Sequence, residues 1–156
     1  MTPTEPRPEL VIRPAGPEDA LAIAGLFTAA RDAAVPLMPP SVHTAEEDRA
    51  FFTARVSAAE TETWVAEAGT DLLGFVLLTP TWLDHLYVRP DAQRAGVGTA
   101  LVELAQALRP GGLGLWVFES NAPARALYRR HGFVEVERTD GSGNEEHAPD
   151  LRLRWP

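Results

Sequence analysis

The segment Leu83–Leu101, reading LDHLYVRPDAQRAGVGTAL, constrains this chain more than any other part of it. A strand runs from Trp82 to Val88 and is closed by Pro90; a turn holding Gly96 and Gly98 follows, and a helix begins at once. The helix shows in the spacing of Leu101, Val102, Leu104, Ala105 and Leu108 and ends at Pro110-Gly111-Gly112. Unpaired amides and the helix dipole make such an N-terminus an anion site. Glycine at 96 and 98 removes side chains that would keep phosphate oxygens from the backbone. Arg94 and Arg89 stand near enough in sequence to add charge-assisted hydrogen bonds.

Two phosphate-binding patterns can be set against this turn. A P-loop needs GxxxxGK and then Ser or Thr, and the chain contains no lysine at all. A dinucleotide fold wants a third glycine where Leu101 stands, in the first strand–helix–strand unit of the domain, and here two helices and several strands come first. A plain strand-to-helix turn remains open on these two glycines alone.

The rest of the chain places the turn in an α/β fold. Leu10–Pro14 reads as a short strand, and Leu21, Ile23, Leu26 and Phe27 as a helix opened by Pro17-Glu18-Asp19. Thr44 and Glu47 form a capping box for a second helix through Val56, after a proline-rich loop from Val35 to Pro40. Thr63–Ala68 and Leu72–Leu78 pair around Gly69-Thr70-Asp71, and Trp82–Val88 follows. After the helix from Gly98 come a strand Leu113–Phe118, a helix from Asn121 to His131 stopped by Gly132, and strands Phe133–Arg138 and Asp150–Trp155. The order β-α-α-β-β-β-α-β-α-β-β combines hairpins with crossovers. It implies a mixed sheet with helices on both faces, parallel where the two later helices cross over.

Composition narrows the function. A chain of 156 residues suits one domain, expected over 10–156 behind a disordered leader over 1–9. Cysteine is absent, which removes disulfides and a cysteine nucleophile and fits a cytoplasmic protein. His43, His85, His131 and His147 show no metal-ligand spacing, so no metal is expected. A net charge of -8, with every basic residue an arginine, argues against nucleic acid as partner and favours cationic small molecules. No apolar run reaches the roughly 18 residues of a membrane span, so no membrane partner is expected.

The chain resembles the GNAT superfamily of N-acetyltransferases. Gln93-Arg94-Ala95-Gly96-Val97-Gly98 matches the family signature at the glutamine and both glycines, after a strand ending Leu86-Tyr87-Val88 and a proline. A second element, an asparagine opening a helix that carries a tyrosine and ends in Gly-Phe, is present as Asn121, Tyr128 and Gly132-Phe133. The resemblance covers about Leu10 to Trp155. It implies acetyl-CoA as co-substrate and direct transfer of the acetyl group to an amine in a ternary complex. The parallel central strands would splay after a bulge to admit the pantetheine arm. The backbone of Leu86, Tyr87 and Val88 would bind that arm, one amide polarising the thioester carbonyl, and the amides of Arg94, Ala95, Gly96, Val97, Gly98 and Thr99 the pyrophosphate. Asn121 would contact the cofactor near its thiol, or serve only as a helix cap. Tyr128 would be the general acid and a further cofactor contact.

The base is less defined by the resemblance. Some relatives use a glutamate five residues before the motif asparagine, where this chain has Trp116. Asp84 and His85 are the nearby alternatives; Asp84, sharing a face with Leu86 on an unbulged strand, is favoured, acting directly or through water, with Glu119 behind it. The loop Val35–His43 and Trp82 lie where the family builds its acceptor site. The polar stretch Thr139–Pro149 offers either carboxylates for a cationic substrate or a solvated connection. The acceptor is expected to be a small-molecule or peptide amine, and a homodimer is compatible with the family. A different class of function, an acetyl-CoA-binding sensor without turnover, fits the same cofactor motif.

Overall fold

The computed structural model describes residues 9–156, so the leader expected over 1–9 lies, apart from Glu9, outside the described residues. The elements follow the order read from the sequence: β1 Leu10–Pro14, α1 Ala20–Ala34, α2 Ala45–Val56, β2 Glu62–Ala68, β3 Asp71–Leu78 and β4 Leu83–Val88. Then come α3 Val97–Leu108, β5 Leu113–Phe118, α4 Ala122–Arg130, β6 Val134–Thr139 and β7 Asp150–Trp155. The capping box forms as its residues dictate. Glu47 N–H donates to Thr44 Oγ1 at 3.1 Å, and Thr44 N–H to Glu47 Oε1 at 3.0 Å, fixing the start of α2.

The strands divide into two sheets. β1-β2-β3-β4 is antiparallel throughout, and β5-β7-β6 is a second antiparallel sheet. The parallel pairing expected around the two later helices is confined to one bridge, Trp82 with Gly114. Beyond it β4 and β5 part. β5 and β6 do not pair either, because β7 returns through the connection 140–149 and inserts between them. The bridge survives because Gly114 has no side chain: a Cβ there would lie 2.8 Å from the Trp82 ring.

The hydrophobic core explains why two sheets with one bridge hold together. α1 and α2 cover one face of the first sheet with Ile23, Phe27 and Phe52 against Val65, Phe75 and Leu77. The opposite cluster is shared: Leu101 and Val102 of α3 pack with Val76 and Leu83 of the first sheet and with Leu113, Leu115 and Leu151 of the second. Each fully buried side chain of this size contributes about 1.5–3 kcal/mol. α3 therefore does the joining that strand hydrogen bonds leave undone, and a slot can stay open between β4 and β5.

Candidate active site

The slot begins at a bulge. In the β3–β4 ladder Leu78 faces Leu83 and Leu77 faces His85, so Asp84 is the extra residue on β4. A bulge bends and twists its strand, and β4 leaves β5 from this point. Among the described residues no backbone hydrogen bond joins β4 to β5 beyond the one from Gly114 N–H to Thr81 C=O. The bond from Arg89 N–H to Leu73 C=O, at 2.7 Å, sets the phase of the antiparallel pair. Tyr87 accordingly spends its backbone groups on Phe75, while those of Leu86 and Val88 point to the slot. This corrects the expectation for Tyr87, whose backbone belongs to the β3 ladder. Gln93 Nε2 donates to the Val88 carbonyl at 3.3 Å.

At the far end of this edge lies the turn into α3. Arg94 has φ 69°, and Gly96 has φ 84°, the left-handed conformation that glycine adopts without strain. The first bond of the helix runs from Ala100 N–H to Gly96 C=O at 3.0 Å, so the amides of Val97, Gly98 and Thr99 precede it and have no helical acceptor. A Cβ on Gly98 would meet only ordinary contacts, Leu127 at 3.5 Å and Val88 at 3.8 Å. Packing within the chain does not require glycine there, and a Cβ on Gly96 would meet nothing within 4 Å. Arg94 makes no ion pair among the described residues, whereas the Arg89 guanidinium is held by Asp91. The donor set fits a phosphate diester or pyrophosphate.

The floor of the slot is set by α4. Asn121 caps this helix, its Oδ1 accepting from Ala124 N–H at 3.4 Å, and lines the cavity as well. Phe133 N–H donates to Tyr128 C=O at 3.1 Å after the left-handed Gly132, and the rings of Tyr128 and Phe133 meet with centroids 5.5 Å apart. The Gly-Phe pair thus ends the helix and wedges the tyrosine. Tyr128 is 7% exposed and lines a cavity of about 120 Å³ with Leu86, Leu115, Val117 and Asn121. Burial, reinforced by Tyr87, raises its hydroxyl pKa well above the ordinary tyrosine value.

The bulge alters the other end. Asp84 does not share a face with Leu86, as expected for a regular strand: Leu86 packs toward the α3 core, and the Asp84 carboxylate accepts from Arg55 of α2 at 3.1 Å. Burial raises the Asp84 carboxyl pKa and the Arg55 charge draws it partly back. His85 sits among Phe27, Phe51 and Phe52, with ring centroids 5.4–5.9 Å away. Burial first, then the charges of Arg55 and Arg31, lowers its pKa to about 4, so the imidazole is neutral near pH 7. Glu119 is held by Arg138 at 3.1 Å. Trp82 stacks on Gly114 at the closed end of the strand pair, not along the slot.

Two further features had no signal in the sequence because their partners are distant along it. The connection 140–149 is not simply solvated: Glu145 meets His43 at 2.7 Å, Glu146 lies 3.8 Å from Arg31, and Asn144 pairs with both backbone groups of Ala148. These carboxylates are thereby committed to the α1–α2 region rather than free for a substrate. Arg31, 7% exposed and between the rings of Phe27 and Phe118, also donates to Pro39 C=O at 3.1 Å. It ties the 35–43 loop to the sheet edge, beside Met38 of the cavity wall. Among the described residues there is no cluster of histidine and carboxylate groups suited to a metal, and no helix is long and apolar enough to cross a membrane.

Comparison with known proteins gives this geometry a family. The profile described as acetyltransferase (GNAT) domain matches residues 59–135, from β2 to the start of β6. The peptidyl-lysine N-acetyltransferase YjaB of Salmonella typhimurium is 37% identical over 98 residues, 62% of this chain and 67% of that protein. The chain therefore aligns with about two thirds of that relative's length. The uncharacterized N-acetyltransferase YhfO of Bacillus subtilis is 31% identical over 138 residues, covering 80% of this chain and 89% of the relative. The solution structure of apo-form YjaB from Escherichia coli superposes with a TM-score of 0.74 at 26% identity, over 94% of this chain and 97% of that one. The sequence signature, the splayed strands and these relatives agree: the chain belongs to the GNAT family and is an acyltransferase of that type.

Proposed function

We propose that this protein transfers an acetyl group from acetyl-CoA directly to an acceptor amine, in a ternary complex and within one domain spanning 10–156. The observation that carries the reading is the coincidence, along one slot, of three features: the unpaired edge of β4, the free amides of α3 and the buried Tyr128 hydroxyl. The β4 edge at Leu86 and Val88 binds an amide-bearing arm as an added strand would, and one of its amides polarises a carbonyl lying in the slot. The amides of Gly96 through Thr99, with Arg94 beside them, hold the pyrophosphate. Acetyl-CoA, when bound, supplies the thioester carbonyl and the thiol leaving group.

Tyr128 then delivers the proton. A thiol has a reference pKa of about 8.5 and tyrosine about 10, so a free phenol is a weak donor to a thiolate. Burial keeps Tyr128 protonated, and it penalises a thiolate in the same slot as well, so the two shifts run together. Wedged by Phe133, the hydroxyl needs no search for position. Asp84 accepts the proton of the incoming ammonium through water, its carboxyl poised by burial against Arg55. A peptide lysine is the first acceptor to try, because the Salmonella relative is named for that substrate.

Calorimetry with acetyl-CoA followed by a thiol-release screen over pooled amines tests the reading. Binding with acceptor-dependent thiol release supports it. Binding without release from any amine or lysine peptide would instead favour a sensor, and absence of binding would remove the cofactor site itself.

A further inference from the structure

Of the large aromatic side chains on the slot wall that the chemistry above does not use, Trp116 is the exposed one, at 48%. Its neighbours on β5, Leu115 and Val117, point into the shared core, so the alternation of the strand turns the indole to the other face. Counting along the parallel strands from the Trp82–Gly114 bridge, Trp116 stands two residues beyond Gly114, and Asp84 two beyond Trp82. Trp116 and Asp84 both line the cavity, one from each of the two strands that part beyond this bridge. The charged side chains lining this cavity are Asp84 and Asp150, and His85 is neutral there; of the arginines nearby, Arg152, opposite Trp116 on β7, is held by Glu137 at 2.9 Å, and Arg55 by Asp84. Only one Asp84 oxygen is engaged by Arg55, and Asp150 takes the Thr139 hydroxyl.

Carboxylates and an exposed indole lining one cavity make a site for a cation carried on an apolar stem. The ring quadrupole attracts the ammonium, the indole covers the methylenes, and an acceptor carboxylate at the same place would meet like charge. Resting on the acetyltransferase reading, we propose that Trp116 is the residue that selects the acceptor: it forms, with Asp84 and Asp150, a subsite for the stem and head of a linear alkylammonium group. Trp116 occupies the sequence position where a base could stand, and its role is recognition rather than proton transfer.

The test uses the full chain, acetyl-CoA, and two acceptor sets: blocked lysine peptides or linear diamines, and free α-amino acids whose carboxylate adjoins the amine. Linear amines should be the better acceptors. Trp116→Ala should raise their KM about tenfold, with the loss carried by KM and with acetyl-CoA affinity by calorimetry unchanged. Trp116→Phe, which keeps an aromatic face, should recover part of it, and Trp116→Leu, which keeps bulk without that face, should not. An unchanged acceptor KM in Trp116→Ala, or full recovery by Trp116→Leu, overturns the assignment of the indole. Preference for α-amino acids overturns the assignment of the subsite. Failure of the wild-type protein to bind acetyl-CoA would strike the underlying reading instead, so the two failures are separable.

Discussion

At Tyr128, desolvation and the neighbouring Tyr87 hold the hydroxyl proton more tightly than in water, and Phe133 fixes the ring at the floor of the slot. Tyr128→Phe should leave acetyl-CoA affinity intact by calorimetry while turnover drops by about 10²-fold or more, the usual range for loss of a general acid. Undiminished turnover would reduce Tyr128 to a packing residue. Asp84 makes a prediction with a sign. Its carboxyl pKa is raised by burial and lowered by Arg55, so Arg55→Met removes the lowering influence alone. If Asp84 receives the proton, the acidic limb of the kcat/KM profile moves to higher pH in Arg55→Met and disappears in Asp84→Asn. A profile that Asp84→Asn leaves in place would assign deprotonation to water. The bulge matters at this scale too, because it aims Asp84 at Arg55 and breaks the two-residue period that a regular strand would impose.

Among the elements, α2 shows how local sequence positions a distant function. The reciprocal Thr44–Glu47 bonds start the helix, and its far end delivers Arg55 to Asp84. Thr44→Ala should lower stability by about 1 kcal/mol, read as a shift in urea midpoint at constant slope. The turn into α3 is the counterpart at the other end of β4. Its unsatisfied amides follow from the helix that begins after the glycines and could be read from the chain, whereas the left-handed conformation of Gly96 comes from the fold. Trp82 could not be placed that way. Its indole stacks on Gly114 because the two strands meet there alone, a contact that no spacing in either strand announces.

Across the whole molecule, the β6–β7 connection is tied to the α1–α2 region by contacts between segments far apart in the chain. His43, just before α2, bridges Glu47 of that helix and Glu145 of the β6–β7 connection, and both carboxylates raise its pKa, Glu145 foremost. A histidine whose folded pKa is raised adds stability that is fully present below its unfolded pKa, about 6.5, and lost as pH rises through the folded value. Glu145→Gln should therefore lower Tm at about pH 6 and leave it near the wild type at about pH 9, where the imidazole is neutral in both. A Tm gap that persists at high pH would mean that the contact stabilises by packing rather than charge.

The sequence by itself determined the order of elements, the capped start of α2, the glycine turn at 93–98 that opens α3 and the pairing of Asn121 with Tyr128 on one helix. Each is a local property, set by residues within a few positions of one another: caps, prolines, glycines and apolar period. Only the tertiary structure decided that β4 and β5 part after a single bridge, that Asp84 is a bulge residue held by Arg55, and that Trp116 and Asp84 line one cavity. Those depend on which strands lie side by side and on a core in which α3 joins two sheets, and such long-range packing leaves no spacing in the chain to read.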